Sequence, residues 1–431
     1  MTRPLPGAHD VAPAVTLPLA RYRFTAVFDR DLDLPAFAGP LLRSVFGQAL
    51  RRGACVTGAP DCTGCPLLHG CAYPAVIEPP PRPTQFGTSI HQVPCPWVME
   101  PPPPDLARLP AGQPLQWHQV LVGEDVLNRL PAVVQAWDRA LLDGFGHQRV
   151  RGRLVDLSCL GADGSATTVR APPGRSLLPH PNTMTLPAHP VAASDQVHLH
   201  IHTPLRLQHD GRPLQPADLA PRKLAADLLR RCNLMLDLHL GIRPAPFDAA
   251  ALVAHAATLT DDRSNLHWRD GARYSARQKQ ETPLGGVMGR WTLRGDLAPL
   301  LPWLWLGQWL HLGKGTAMGL GAYTLEVPAM TTTWFVSRHP GAAVWAAGQG
   351  LTVDRRVIHL DLSQVKAGDT VIGTLPVHLA AEVCRLGARY LHLSLDLPVE
   401  WRGRELGAAE LREANARLQP FRVQLESTSP S

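Results

Sequence analysis

Beyond residue 330 the hydrophobic pattern of the chain changes, and this change limits the possible fold more than any other feature. Short, continuously apolar runs alternate with helix-length segments: strands over Thr332–Val336, Val357–Leu362, Thr370–Leu375, Tyr390–Leu395 and Phe421–Leu425, and helices over Ala342–Gly348, Val377–Leu386 and Ala408–Arg417. Strands without polar alternation are buried on both faces. The pattern therefore predicts a mostly parallel sheet covered by helices on both sides, a small α/β Rossmann-like domain over residues 331–426. Met330, directly before this segment, reads as the former start of a separate polypeptide, so the chain is expected to be a fusion.

The preceding part has a different rhythm. Residues 1–18 are Pro-rich and are expected to be a disordered tail. Arg21–Phe28 alternates apolar and polar residues as a half-buried strand does. Pro40–Arg52 then forms an amphipathic helix, with Leu41, Leu42, Val45, Phe46, Ala49 and Leu50 inward and Arg43, Arg51 and Arg52 outward, suited either to solvent or to RNA phosphates. Further on, the pattern predicts strands Gln116–Val122, Val197–Thr203, Leu266–Gln278, Gly286–Arg294 and Ala322–Val327, with helices Gly123–Leu142, Pro221–Gly241 and Leu297–His311. Two strand–helix–strand sets separated near residue 190 give halves 19–190 and 191–327.

At 431 residues the chain is long for one domain, and a net charge of +6 with a pI near 9.0 favours an anionic partner. The most apolar run, Leu297–Leu312, is too short and interrupted to span a bilayer, and no basic start with an apolar core marks a secretion signal. A soluble, cytoplasmic protein is the expectation. In that setting the 8 cysteines point to thiols or a metal rather than to disulfides.

Cys55, Cys62, Cys65 and Cys71 stand at spacing C-x6-C-x2-C-x5-C in a turn-rich loop (55–71), which suits a structural zinc held by four thiolates. An iron–sulfur cluster and unliganded thiols are the alternatives. Four glycines in nine residues, Gly313, Gly315, Gly319 and Gly321, flank Lys314 between a helix and a strand. Backbone amides freed by glycine can converge on a phosphate beside the lysine; a plain turn is the other reading. Gly144–Arg153 mixes glycines and arginines, as an RNA-backbone contact or a polar turn would, and His198, His200 and His202 alternate on one strand face. His91, Arg277 and Lys279 add further polar and basic groups.

In parallel sheets, ligands settle beyond the carboxyl ends of the strands. Those ends carry Ser337, Arg338, His339 and Gly341, then Gly373, Thr374 and Pro376, then Ser394 and Asp396. Hydroxyls, a guanidinium and an imidazole at one edge suit a phosphodiester; helix caps and turns are the plainer account.

Two resemblances sharpen these readings. Leu42–Arg52 with the cysteine cluster, Trp268–Gln278, Leu284-Gly285-Gly286 and the glycine loop are similar to the CRISPR precursor-RNA-processing endoribonucleases of the RAMP superfamily. That resemblance implies tandem ferredoxin-like halves and binding, with possible processing, of CRISPR repeat RNA. A histidine common on the first helix of that family is replaced here by Gln48, which cannot carry a proton at neutral pH. The C-terminal segment, through WFVSRHPGA, GDTVIGTLP and ARYLHLSLDLP, resembles a small CRISPR-associated family of type III systems. Members of that family are implicated as ring nucleases, so the resemblance implies cleavage of cyclic oligoadenylate, notably cyclic tetraadenylate, with a type III effector complex as a further partner. In that reaction a ribose 2′-hydroxyl attacks its own 3′-phosphate without metal. Arg338 would stabilise charge, Ser337 and Thr374 would hold phosphate oxygens, and His339 would assist proton transfer. Gly341, Gly373, Pro376, Ser394 and Asp396 would bind the ring, and a homodimer through this domain would match its twofold symmetry. The alternative is an RNA-binding subunit of weak activity fused to a module that only sequesters the messenger.

Overall fold

The computed structural model describes residues 15–84, 89–90, 93–104, 106–170, 176–186, 195–275, 280–328, 331–349, 351–401 and 404–425. His91, Arg277, Gln278, Lys279, Met330, the boundary near residue 190 and residues 1–14 of the expected tail lie outside these. The chain divides into two compact units, Met1–Val327 and Pro328–Ser431.

The first unit repeats one motif. Its first copy runs β1 (Leu19–Phe28), α1 (Gly39–Ala54), β2 (Trp97–Glu100), β3 (Pro114–Val122), α2 (Leu130–Asp143) and β4 (Gly152–Leu160), extended by β5 (Ala166–Arg170). The antiparallel order β5-β4-β1-β3-β2 is that of a βαββαβ ferredoxin-like unit with one added edge strand. The second copy runs β6 (Gln196–Leu205), α3 (Pro221–Leu238), β7 (Thr260–Arg269), β8 (Gly286–Arg294), α4 (Leu301–Leu310) and β9 (Tyr323–Glu326), in the equivalent order β7-β8-β6-β9.

Local chemistry moved several boundaries. The helix expected over 123–142 is two, Glu124–Leu127 and α2, because Pro131 lacks an amide donor and starts a helix rather than continuing one. Pro302 likewise delays α4 to Leu301. The strand expected over 266–278 begins earlier, at Thr260, and ends at Arg269, after which Ala272–Ser275 pairs with Gln280–Pro283 in a separate hairpin. Val15–Leu17 pairs with Met184–Leu186, so the tail expected over 1–18 is ordered from Val15, where Leu17 is buried.

Each copy packs its helices on one sheet face. In the first, Phe46 of α1 and Trp137 of α2 stack at 5.0 Å, and Trp137 meets Trp117 of β3 at 4.8 Å. All three are fully buried, so α1 and α2 are held against the sheet by large apolar area, and offset aromatic pairs add about 1 kcal/mol each beyond that area.

The second unit contains β10 (Thr333–Val336), α5 (Pro340–Gly348), β11 (Arg355–Val357), β12 (Thr370–Gly373), α6 (Val377–Arg385), β13 (Arg389–Ser394), α7 (Ala408–Glu413) and β14 (Arg417–Phe421). The order is β11-β10-β12-β13-β14, parallel except for the last pair. Cores on both sheet faces, around Phe335 and around Trp334, confirm two-sided burial. The helix expected to reach Arg417 stops at Glu413: Asn415 turns with φ of 54°, and residues 417–421 become the strand that was expected at 421–425. β11 is three residues long because Asp361 caps a short 3-10 turn where the strand was expected to continue.

Candidate functional site

In the first unit α1, α2 and the loop after α2 surround a cavity of about 580 Å³. Leu41 and Val45 of α1, Ala140 of α2 and Leu34 give it an apolar lining, while Gln48, Arg52, Asp143, His147 and Arg149 supply its polar groups. Arg52 forms an ion pair with Asp143 across the two helices. Gln48 is exposed and donates to Ser44 Oγ at 3.2 Å.

The loop over 144–150 is built like a miniature hairpin. Phe145 and Val150 exchange backbone hydrogen bonds of 2.9 and 3.0 Å, and Phe145 is fully buried against Phe28 at 5.3 Å. Gly144 takes φ of 89°, and a Cβ there would lie 2.4 Å from the Arg149 carbonyl, so only glycine closes the turn. His147, Gln148 and Arg149 are left exposed on an anchored tip.

The three arginines expected to form one basic face serve different ends. Arg51 donates to the carbonyls of Ala59 and Pro60 at 2.6 and 2.5 Å and lies 5.5 Å over the Tyr73 ring, so it braces the cysteine loop rather than facing RNA. Arg43 is half-buried beside the Cys95 thiol. Arg52 alone of the three lines the cavity.

The cysteine loop brings Cys55, Cys62, Cys65 and Cys71 to one cavity of about 20 Å³. Thr57 Oγ1 lies 3.7 Å from Cys55 Sγ and 3.9 Å from Cys65 Sγ. The Thr57 hydroxyl lowers the Cys55 thiol, whereas burial pushes Cys62 up. As placed, no group of three or more His, Cys, Asp or Glu among the described residues stands in position to hold a metal ion. The donor set suits zinc, but the sulfurs would have to draw together around it.

The glycine loop corrects the anion-cradle expectation. The amides of Lys314, Gly319 and Gly321 donate to Arg206, Thr316 and Pro204 carbonyls at 3.2, 2.9 and 3.1 Å. A Cβ on Gly321 would lie 1.7 Å from the Leu312 carbonyl oxygen, and one on Gly319 would lie 2.4 Å from Pro101 of the first half. The loop is thus a joint between the halves. Gly313 bridges to Arg206 and Gly315 opens a 3-10 turn, leaving the Lys314 side chain exposed. Beneath it the half-buried Arg231 donates to the Leu310 carbonyl and to Thr316 Oγ1, at 2.8 and 3.0 Å.

His198, His200 and His202 occupy the sheet face opposite the helices, each with its own partner: Thr292 at 2.9 Å, Glu326 at 2.6 Å and Thr324 at 2.8 Å. The carboxylate that sequence proximity does not supply comes from the paired strand β9.

In the second unit the chain leaves β10 toward β11 on one side and β12 toward β13 on the other, so the strand order reverses between β10 and β12. Ser337, Arg338 and His339 follow β10, and Gly373 ends β12 with Thr374 after it, so these residues flank that reversal. Ser337 Oγ accepts from the His339 amide at 3.1 Å, and Arg338 and His339 are exposed. Tyr390 fixes the second turn: its hydroxyl donates to the Gly373 carbonyl at 3.1 Å, accepts from the Leu375 amide at 3.0 Å and meets His392 Nδ1 at 2.7 Å.

The remaining expected ligand residues are engaged in the scaffold. Ser394 donates to Gln419 at 2.6 Å, and Asp396 accepts from Asn415 and Arg417 at 2.9 and 2.8 Å, with Arg417 and Asn415 holding its carboxyl below the usual range. Both belong to the β13–β14 edge rather than to the reversal, which corrects their assignment. A Cβ on Gly341 would lie 2.2 Å from the Leu406 carbonyl oxygen, and one on Gly373 would lie 2.4 Å from that of Val336, so both glycines permit close packing. Pro376 precedes α6 as its N-cap, and Thr374 Oγ1 donates to the Leu393 carbonyl at 3.2 Å.

Residues 199–323 match the family model of the CRISPR-associated endoribonuclease Cas6. The first unit is Cas6-like. Residues 17–182, its other half, match a model described as an N-terminal domain, AF_1859_N. Residues 334–424 match the CRISPR-associated Cas_VVA1548 family. Among curated proteins none matches the chain. Solved structures with distant likeness include a partial Cas6-RT-Cas1–Cas2 complex, at 15% identity and TM-score 0.45 over 74% of this chain and 48% of that one. The chain therefore spans about half the length of that larger protein. A Thermus thermophilus Cas6 matches at 16% identity and TM-score 0.41 over 73% and 100% of the two chains, and a Cas6-related Pyrococcus furiosus protein at 11% and 0.37 over 72% and 98%.

Within the Cas6-like unit, Gln48 and Arg52 therefore come together with Asp143 and the 144–150 loop, while Arg43, Arg51 and the glycine loop lie elsewhere. Asp143 carries no local motif and is placed by the packing of α2 on α1, whereas His147 falls within the Gly144–Arg153 segment that the sequence marked as an RNA contact or a polar turn, and the closed 144–150 loop positions it. No helix among the described residues is long and apolar enough to cross a membrane.

Proposed function

We propose that the protein is a type III CRISPR-associated fusion with two ribonuclease activities. In this reading the Cas6-like unit binds CRISPR repeat RNA and cuts it at the α1–α2 cavity, and the second unit binds cyclic oligoadenylate, best the tetraadenylate, and opens the ring. The observation that carries the first part is the cavity itself, which joins an apolar lining for a base to the Arg149 guanidinium for phosphate, with Arg52 paired to Asp143 beside it. Labelled repeat RNA tests it: a 5′-hydroxyl product supports processing. The presence of Gln48 favours a second reading, in which this unit holds the RNA without cutting it, and a gel shift without cleavage is its signature.

For the second unit, support comes from the Rossmann-like order of a parallel sheet with Ser337, Arg338, His339 and Thr374 flanking its reversal point. Arg338 stabilises the pentacoordinate phosphate, Ser337 and Thr374 hold its oxygens once the Thr374 hydroxyl turns away from the Leu393 carbonyl, and His339 assists proton transfer, with no metal required. Two copies of this unit share one ring. Titration calorimetry of cyclic tetraadenylate into the full chain, in EDTA, would then give one ring per two chains; the absence of binding heat counts against it. Zinc at the four thiols has a structural part in this reading.

A further inference from the structure

We propose that His147 supplies the proton transfer that Gln48 cannot, as the catalytic imidazole of the Cas6-like unit. This rests on the RNA-processing reading of that unit. Among the described residues lining the cavity, His147 carries the one imidazole, a group able both to take and to give a proton, and it shares that cavity with Gln48 and Arg52. Its position is built rather than incidental. Phe145 is buried beneath the loop, the Phe145–Val150 hydrogen bonds close it, and Arg30 Nη2 donates to the Gln148 carbonyl at 3.4 Å. The tip is therefore held while the imidazole stays exposed to an incoming strand.

The charged groups facing it from the surrounding elements are Arg52 of α1, Asp143 of α2, Asp33 and Arg149. The Arg52–Asp143 pair leaves Arg149 as the cation of the same loop, placed beside His147 in sequence, to meet a phosphate. With a base against Leu41 and Val45, the ribose–phosphate lies along this polar edge. Neutral His147 takes the 2′-hydroxyl proton as the 2′-oxygen bonds to phosphorus. The P–O5′ bond breaks, its electron pair stays on the 5′-oxygen, and that oxygen takes a proton from water. The products are a 2′,3′-cyclic phosphate and a 5′-hydroxyl end, and the imidazolium returns its proton to solvent.

The test compares the full-length protein with His147→Ala and His147→Gln on labelled repeat-hairpin RNA, measuring shift and single-turnover cleavage, then adding free imidazole to the alanine variant. The expected result is unchanged binding, a cleavage rate lower by about 100-fold or more in both variants, and partial recovery of His147→Ala by imidazole. Variants that cleave like the parent overturn this assignment and leave RNA processing standing. A loss that imidazole leaves unchanged makes His147 a positioning residue and also overturns it. A parent protein that binds RNA without cutting it defeats the processing reading and this inference together.

Discussion

A Cβ on Gly39, the first residue of α1, would lie 1.7 Å from the carbonyl oxygen of Met318 in the glycine loop. The start of the helix that lines the cavity is thus seated directly on the backbone of the second half. Met318 is fixed by its amide, which donates to the Gly315 carbonyl at 2.8 Å, so neither chain can yield cheaply. Gly39→Ala should cost about 3 kcal/mol, at the upper end of overpacking penalties, and should lower cleavage of repeat RNA by tilting α1. Denaturant unfolding of the parent and the variant measures the first effect.

Three histidines make the Cas6-like unit sensitive to acid. Burial, above all, holds His118 and His311 down to about 3 and His239 down to about 4, with Arg21 and Arg231 adding to the effect on His118 and His311 respectively. Below the ordinary imidazole value of about 6.5 the unfolded chain takes up protons that the folded chain refuses. Stability is therefore fully present above that pH and falls as pH drops toward these folded values, by up to roughly 1.4 kcal/mol per unit for each histidine. Melting temperatures at pH 7, 6 and 5 should fall progressively. His311→Asn, which suits the φ of 54° at that position, should flatten the slope.

If zinc draws the four thiols together, purified protein should contain about one zinc per chain, and a strong chelator should lower the melting temperature of the first unit. Cys62→Ser with Cys65→Ser should abolish the metal and the chelator response together. A parent protein free of zinc, or one whose iron content matches a cluster, would reject zinc as the occupant. Arg51 ties the loop to α1, so loss of metal should also reduce RNA affinity.

Tyr390 is the hinge pin of the turn after β12, with three hydrogen bonds through one hydroxyl. Tyr390→Phe removes all three and leaves the Leu375 amide without this acceptor. A cost of about 2 kcal/mol is expected, together with weaker cyclic-nucleotide binding and a turnover less affected than in Arg338→Ala. Ring-opening kinetics at several substrate concentrations separate the two variants.

Much of this architecture was legible because periodicity reports burial. The apolar strands around Trp334, Val371 and Tyr390 announced a two-sided parallel sheet, and the alternation in Arg21–Phe28 announced a one-sided one. Boundaries failed where a proline or a left-handed residue decided them, as at Pro131 and Asn415. The site was harder to read. Residue type suggested that Arg51, Gly319, Gly321, Ser394 and Asp396 were free for a ligand, whereas tertiary contacts consume them. Conversely, Asp143 and Tyr390 gain their positions from helix packing and strand pairing, which leave no local signature, while His147 sits in a segment whose glycines and arginines did mark it.

The most direct test of the fusion reading is incubation of the full-length protein with cyclic tetraadenylate in EDTA, with the products resolved by chromatography. The account expects linear fragments ending in 2′,3′-cyclic phosphate, formed at a rate about 100-fold lower in Arg338→Ala. An intact ring after prolonged incubation with excess protein would contradict it.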